Sequence, residues 1–75
     1  MHIKELRQLL LSKHVPPDAY SLEGGLPNEA FCIERNGKKW HLYYSERGRK
    51  STINYYENED EVVSAFLTLI ERDML

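Results

Sequence analysis

Two glycine-containing turn signals in the middle of the chain constrain its fold most. Asn36-Gly37 and Gly48-Arg49 each separate segments rich in aromatic and β-branched residues. Asn-Gly favours a type I′ turn, and glycine at the first central position favours a type II′ turn. Two tight turns in succession predict three antiparallel strands, over residues 30–35, 38–45 and 51–56.

These turns also predict which side chains share a face of the sheet. The first places Ile33 opposite Trp40, and the second places Leu42 opposite Tyr55. One face is then strongly apolar and consists of Phe31, Ile33, Trp40, Leu42, Tyr44, Ile53 and Tyr55. The other, which we call the second face, is mixed and consists of Ala30, Cys32, Glu34, Lys39, His41, Tyr43, Thr52, Asn54 and Tyr56.

One helix is predicted on either side of the strands. The first runs from His2 to about His14, where Pro16 and Pro17 follow. The second begins after Asn58, a good N-cap residue, and has an apolar stripe. Each helix has one apolar stripe to bury, so we expect both on the apolar face, with the second face uncovered. The predicted fold is α+β, with the order helix-strand-strand-strand-helix, a three-stranded antiparallel meander and both helices packed on one face.

The segment from Pro16 to Glu29 is predicted to be irregular because it contains Gly24-Gly25 and Pro27-Asn28. Tyr20 and Leu22 are expected to hold it against the edge of the core. Such a long connection in a compact domain indicates a functional loop.

Length and composition predict one soluble domain over residues 1–75. A chain of 75 residues with 41% hydrophobic and 29% charged residues has room for one modest core. Its one cysteine excludes an internal disulfide, and no apolar run approaches the ~20 residues that span a bilayer. We therefore expect a cytoplasmic protein without membrane contact. The net charge of −2 indicates neither a polyanionic nor a polycationic partner.

No catalytic, cofactor-binding or metal-binding residues are predicted. The nearest grouping is a row of Cys32, His41 and Tyr56 across the second face, where an imidazole could activate the thiol. The middle of an uncovered sheet supplies neither an orienting group nor a pocket. We interpret Cys32 as a small buried thiol beside an interfacial histidine, and the chain as a protein other than an enzyme.

Two binding functions remain. The element order matches that of double-stranded RNA-binding domains, which carry lysines where the last helix begins. Here Asn58 is followed by Glu59, Asp60 and Glu61, which would repel a phosphate backbone. A small RNA-binding or regulatory domain is therefore the alternative, and nucleic acid is not the favoured partner.

The favoured function is protein binding through the second face and the loop from Glu23 to Glu29. Tyrosine is enriched at interfaces, although aromatic residues on a sheet also form cross-strand packing pairs. Glutamates around the rim would attract a basic partner. A symmetric contact with a second copy leaves a homodimer open. The predicted contact residues are His41, Tyr43, Asn54, Tyr56, Glu23, Glu29, Glu34 and Glu46.

Three segments also resemble a known group of proteins. They are Tyr-Ser-Leu-Glu-Gly-Gly-Leu-Pro-Asn-Glu-Ala-Phe-Cys-Ile over 20–33, Lys39-Trp40 leading into Tyr-Tyr-Ser-Glu-Arg-Gly over 43–48, and an acidic helix start followed by Ala65-Phe66-Leu67. They resemble small bacterial immunity proteins of polymorphic or contact-dependent toxin systems, over about two-thirds of the chain. The resemblance implies a non-catalytic inhibitor that neutralises a cognate toxin by tight one-to-one binding.

Overall fold

The computed structural model describes residues 1–74 as two α-helices and one four-stranded mixed sheet. The elements are α1 (Ile3–Ser12), a 3₁₀ turn (Pro17–Ala19), β1 (Tyr20–Ser21), β2 (Ala30–Asn36), β3 (Lys39–Glu46), β4 (Arg49–Tyr56) and α2 (Glu59–Met74). The strand order is β1-β2-β3-β4, with β1 parallel to β2 and the other neighbours antiparallel. The α+β class is confirmed, whereas the predicted three-stranded sheet fits only in part, as β2–β4 of a four-stranded sheet. The predicted order lacked β1, which makes the sheet mixed.

The first hairpin turns one residue later than predicted. Its central residues are Gly37 and Lys38, and φ is positive at Gly37 (64°) but not at Lys38. These are the φ signs of a type II′ turn, with glycine in the position that requires it. Ile33 consequently pairs with Leu42 rather than with Trp40. The partner moves by two residues, so every side chain of β2 and β3 stays on its predicted face.

The second hairpin differs more, because β4 contains a bulge. The turn residues Arg47 and Gly48 both have positive φ (50° and 77°), as in a type I′ turn. Ile53 is the extra residue of the bulge: Tyr43 pairs with Thr52, whereas Leu42 pairs with Asn54.

Because of the bulge, the side chains at the end of β4 lie on the opposite faces from those predicted. Tyr55 lies opposite His41 on the second face, and Tyr56 lies opposite Trp40 on the helix-covered face. The prediction that Ile53 and Tyr55 are core residues is wrong, since they are 41% and 46% exposed. An extra residue changes the face of every later side chain because strand side chains alternate with a period of two.

Both helices pack on the same face of the sheet, as predicted. Tyr20 makes an edge-on contact with Phe66, with ring centroids 6.4 Å apart. Trp40 is only half-buried, and the Arg35 guanidinium lies 5.5 Å from its ring centroid. No helix within residues 1–74 has the length and apolar character needed to cross a membrane. The buried residues of this core are Leu6, Leu10, Val15, Leu22, Ile33, Leu42, Val62, Val63, Phe66 and Ile70.

The acidic start of α2 binds the start of α1. Asn58 caps α2, because its side-chain oxygen accepts the Glu61 N–H at 2.9 Å. The Glu59 carboxylate accepts the Ile3 N–H at 2.7 Å, and the Asp60 carboxylate bonds the terminal amine of Met1. These bonds lower the pKa of both carboxyls. The acidic residues therefore join the two helices besides favouring the positive end of the α2 dipole.

Candidate functional site

The second face of the sheet is partly covered by a loop, residues 22–29, whose first residue, Leu22, still lies in the helix-side core. β1 runs parallel to its neighbour β2. To return from the end of β1 to the start of β2, the chain must therefore pass over one face of the sheet. The helices occupy one face, and this loop crosses the other. Two hydrogen bonds hold it there: the Tyr43 hydroxyl donates to the Gly25 carbonyl and the Ser45 hydroxyl to the Pro27 carbonyl, each at 2.6 Å. The expectation of an uncovered second face is therefore wrong.

A small second core lies where the loop crosses. Ala30, Cys32 and Tyr43 form it, and all three are buried. Tyr43 is 0% exposed, so the prediction that it projects into solvent to meet a partner is wrong. Burial raises the pKa of the Tyr43 hydroxyl and of the Cys32 thiol. Both groups therefore stay protonated at neutral pH.

His41 occupies the part of the second face beside β4. Its ring stacks on Tyr55, with centroids 4.5 Å apart and planes 10° apart, and it lies 4.7 Å from the Tyr43 ring. Its Nε2 is 2.8 Å from the Thr52 hydroxyl, and Nδ1 is 3.8 Å from the Glu34 carboxylate. His41 is 5% exposed. The His41 ring is therefore buried beneath the Tyr55 ring, and Tyr55 rather than His41 is exposed to solvent.

The predicted row of Cys32, His41 and Tyr56 does not form. Cys32 lies opposite Tyr43, and its thiol donates to the Ala30 carbonyl at 3.5 Å. Tyr56 is on the helix-covered face because of the bulge. The three groups are not brought together.

Glu34 connects the loop side of the sheet to β4. Its carboxylate accepts two hydrogen bonds from the Lys50 ammonium, at 3.0 and 3.2 Å. The same ammonium lies 5.0 Å from the centroid of the Tyr43 ring. A Cβ atom at Gly24 would lie 3.0 Å from the Glu34 carboxylate, so the loop backbone approaches this side chain closely. Glu34 thus has an internal role in addition to any contact with a partner.

The other predicted contact residues are dispersed. Asn54 is exposed but lies opposite Leu42, and its side chain accepts the Tyr55 N–H at 2.8 Å. Tyr56 is half-buried against the main core. Glu23 forms an ion pair with Arg7 at 3.0 Å. The eight predicted residues therefore do not form one surface.

Glu29 and Glu46 do lie together, at the end of the sheet where the loop joins β2. Glu29 directly precedes Ala30, and Glu46 directly follows Ser45. Ala30 and Ser45 pair with each other across β2 and β3, so the two glutamates are adjacent. Burial, followed by the charges of these two carboxylates, raises the pKa of the Tyr44 hydroxyl. The loop backbone reaches the same end of the sheet one residue after Leu26, because the Pro27 carbonyl accepts the Ser45 hydroxyl. We call Leu26, Glu29, Tyr44 and Glu46 the acidic tip.

The acidic tip combines one exposed apolar residue with two exposed carboxylates. Leu26 is 53% exposed, and Glu29 and Glu46 are both exposed. An exposed leucine on a loop that is hydrogen-bonded to the sheet can enter a pocket of another protein, and the carboxylates can bind its basic side chains. The sequence prediction included the loop from Glu23 to Glu29 in the contact but did not name Leu26. Gly25 and Pro27 on either side of Leu26 were the available signal, since turn residues indicate a loop and loops run over the protein surface.

Comparison with known proteins adds no relative to this description. No protein-family model, no curated protein and no solved structure matches the chain. The candidate site is therefore defined by its geometry alone.

Proposed function

We propose that this chain is a non-catalytic protein-binding module, an immunity protein that neutralises a bacterial toxin by direct binding through the acidic tip. The observation that carries the proposal is the half-exposed Leu26 on a loop that two short hydrogen bonds attach to the sheet. A loop that is ordered before binding loses less conformational entropy when the complex forms. The motif resemblance supports the toxin as the class of partner.

Charge supports a basic partner. Glu29 and Glu46 are neighbouring like charges, and neither belongs to an ion pair within residues 1–74. A cationic side chain between them would relieve their repulsion. Toxins that cleave nucleic acids need a basic surface to bind a polyanion, so a nuclease toxin would fit the acidic tip.

The test is co-expression with the product of the adjacent upstream gene. The proposal expects rescue of growth and a purified one-to-one complex. Leu26→Ala should weaken the complex about tenfold or more, as for other central apolar contacts. Leu11→Ala is the matched control, because Leu11 is equally exposed (55%) but lies on α1. Absence of both the complex and the rescue would contradict the proposal.

Charge reversal tests the electrostatic part separately. Glu29→Lys with Glu46→Lys should slow association and reverse its dependence on salt, because attraction to the basic partner becomes a repulsion that salt screens. Glu71→Lys on the exposed side of α2 is the control. Equal association rates for the two variants would show that the charges of the acidic tip do not take part in binding the partner.

RNA binding remains the alternative, and the basic residues of the second hairpin are its candidates. Lys50 is already bonded to Glu34, and Glu59 and Asp60 hold the start of α1. No contact among the described residues favours a phosphate ligand. A salt-dependent mobility shift with duplex RNA that is unchanged by Leu26→Ala would replace the toxin proposal with this alternative.

A further inference from the structure

β4 presents a long free edge. It pairs with β3 on one side, and no strand within residues 1–74 pairs with its other side. Its residues from Arg49 to Tyr55 are all exposed, including Ile53 and Tyr55. Unpaired N–H and C=O groups along an exposed edge form a template for another strand.

The charges along this edge are self-complementary. Arg47 and Arg49 lie at its start, beside Lys50, whose ammonium is bonded to Glu34, and Glu57 follows its end. The stretch between Lys50 and Glu57 carries no charge. In a parallel pair of two such strands, like charges would be adjacent. In an antiparallel pair, the basic end of each strand lies beside the acidic end of the other.

We propose that two copies of this chain associate through antiparallel pairing of their β4 strands, centred on Ile53. This register places Arg49 of each copy opposite Glu57 of the other, and Ser51 opposite Tyr55. The two four-stranded sheets then form one continuous sheet. The two-fold axis is perpendicular to the sheet, so the helices of both copies lie on the same side.

The bulge at Ile53 sets the strength of this contact. Bulges and terminal charges also serve to keep edge strands unpaired, because they twist the edge and introduce repulsion. In β4 the terminal charges attract in the antiparallel arrangement, and exposed Ile53 and Tyr55 lie between them. The irregular backbone shortens the regular ladder. The dimer is therefore weak and depends on concentration.

Sedimentation equilibrium of the intact chain from about 10 μM to about 1 mM tests the proposal. The parent should form dimers within this range, and added salt should weaken them. Ile53→Lys should abolish them, because it places two ammonium groups at the two-fold axis. A parent that is purely monomeric at about 1 mM overturns the proposal.

Charge exchange identifies the register. Arg49→Glu and Glu57→Arg should each weaken the dimer about tenfold, since each creates two repulsive cross-strand pairs. An equimolar mixture of the two variants should restore association, because both cross-strand pairs become attractive. Lys38→Glu in the first hairpin is the charge-matched control and should dimerise like the parent. A mixture that associates no better than either variant alone overturns the antiparallel arrangement.

Two measurements separate this result from misfolding and from toxin binding. Arg49 and Glu57 are both exposed. Among residues 1–74 their only ion pair joins Glu57 to the exposed Lys39 at 3.6 Å. Because exposed ion pairs contribute little to stability, the thermal melts of both variants should stay near that of the parent. Leu26→Ala should leave the dimer unchanged. A failed toxin complex with an intact dimer, or the reverse, therefore distinguishes the two proposals.

Discussion

The two faces of the sheet are covered in different ways. Ten buried residues from both helices, the strands and the segments that connect them form one apolar cluster on the helix-covered face. Only three buried residues cluster under the loop on the second face, where two hydroxyl groups bond loop carbonyls. The helix-covered face thus supplies most of the burial that stabilises the fold, whereas the second face positions a loop.

This difference predicts different responses to mutation. A fully buried large apolar side chain contributes about 1.5–3 kcal/mol, whereas one hydrogen bond contributes about 0.5–1.5 kcal/mol net. Loss of a loop bond should open residues 23–29 locally while the helices stay packed. Loss of a core side chain should unfold the whole chain.

The largest expected effect is that of Phe66→Ala. Phe66 is fully buried between α2 and the sheet, so truncation should cost about 3–5 kcal/mol and abolish cooperative thermal unfolding. Trp40→Ala is the comparison, and it should cost less because Trp40 is only half-buried. A calorimetric melt of Phe66→Ala close to that of the parent would contradict the core assignment.

Two neighbouring glycines test how closely the loop packs against the second face. Gly24 (φ 78°) and Gly25 (φ 87°) both have positive φ, so alanine at either should cost about 1 kcal/mol in backbone strain. At Gly24 the added Cβ also meets Glu34, whereas at Gly25 nothing lies within 4 Å. Gly24→Ala should therefore cost about 2 kcal/mol in all. Equal midpoints of urea unfolding for the two variants would show that the loop does not press on Glu34.

Tyr43→Phe removes one bond of the loop and leaves the ring in place. We expect a loss of about 1 kcal/mol and faster amide hydrogen exchange in residues 23–29. Tyr44→Phe is the matched control, since no hydrogen bond of the Tyr44 hydroxyl forms part of the loop attachment. If the two variants show the same exchange rates, the loop is held by packing instead.

The smallest expected effect is the pH dependence of stability that comes from Glu59 at the start of α2. The Ile3 N–H lowers the pKa of Glu59 from its ordinary 4.5, so the ionised carboxylate stabilises the folded state above that pH. This contribution should disappear as pH falls through the lowered value. Glu59→Gln should reduce stability by about 0.5 kcal/mol at neutral pH, with less effect in acid.

Urea unfolding at pH 7 and at pH 3 measures this difference, with Glu71→Gln as the exposed control on the same helix. An equal loss for Glu59→Gln at both pH values would mean that the carboxylate charge does not contribute.

Local patterns predicted most elements and part of the candidate site. The faces of β2 and β3 were predicted correctly despite the wrong register, since a two-residue shift of partner preserves alternation. The end of β4 was not, because the bulge at Ile53 has no distinct sequence signal. Glu29 and Glu46 were identified as exposed acids, whereas Leu26 was not named within the predicted contact loop and Tyr43 was expected to be exposed because the covering loop was not predicted.

The sequence by itself determined two helices with apolar stripes, two hairpins, and an apolar sheet face to hold them together. These features rest on periodicity and turn chemistry within a few residues. Only the tertiary structure decided that Tyr20–Ser21 pairs parallel to β2 and that the following loop covers the second face. A two-residue strand is too short for periodicity, and a tyrosine suits solvent and a covering loop equally well, because its ring packs and its hydroxyl bonds either water or a carbonyl.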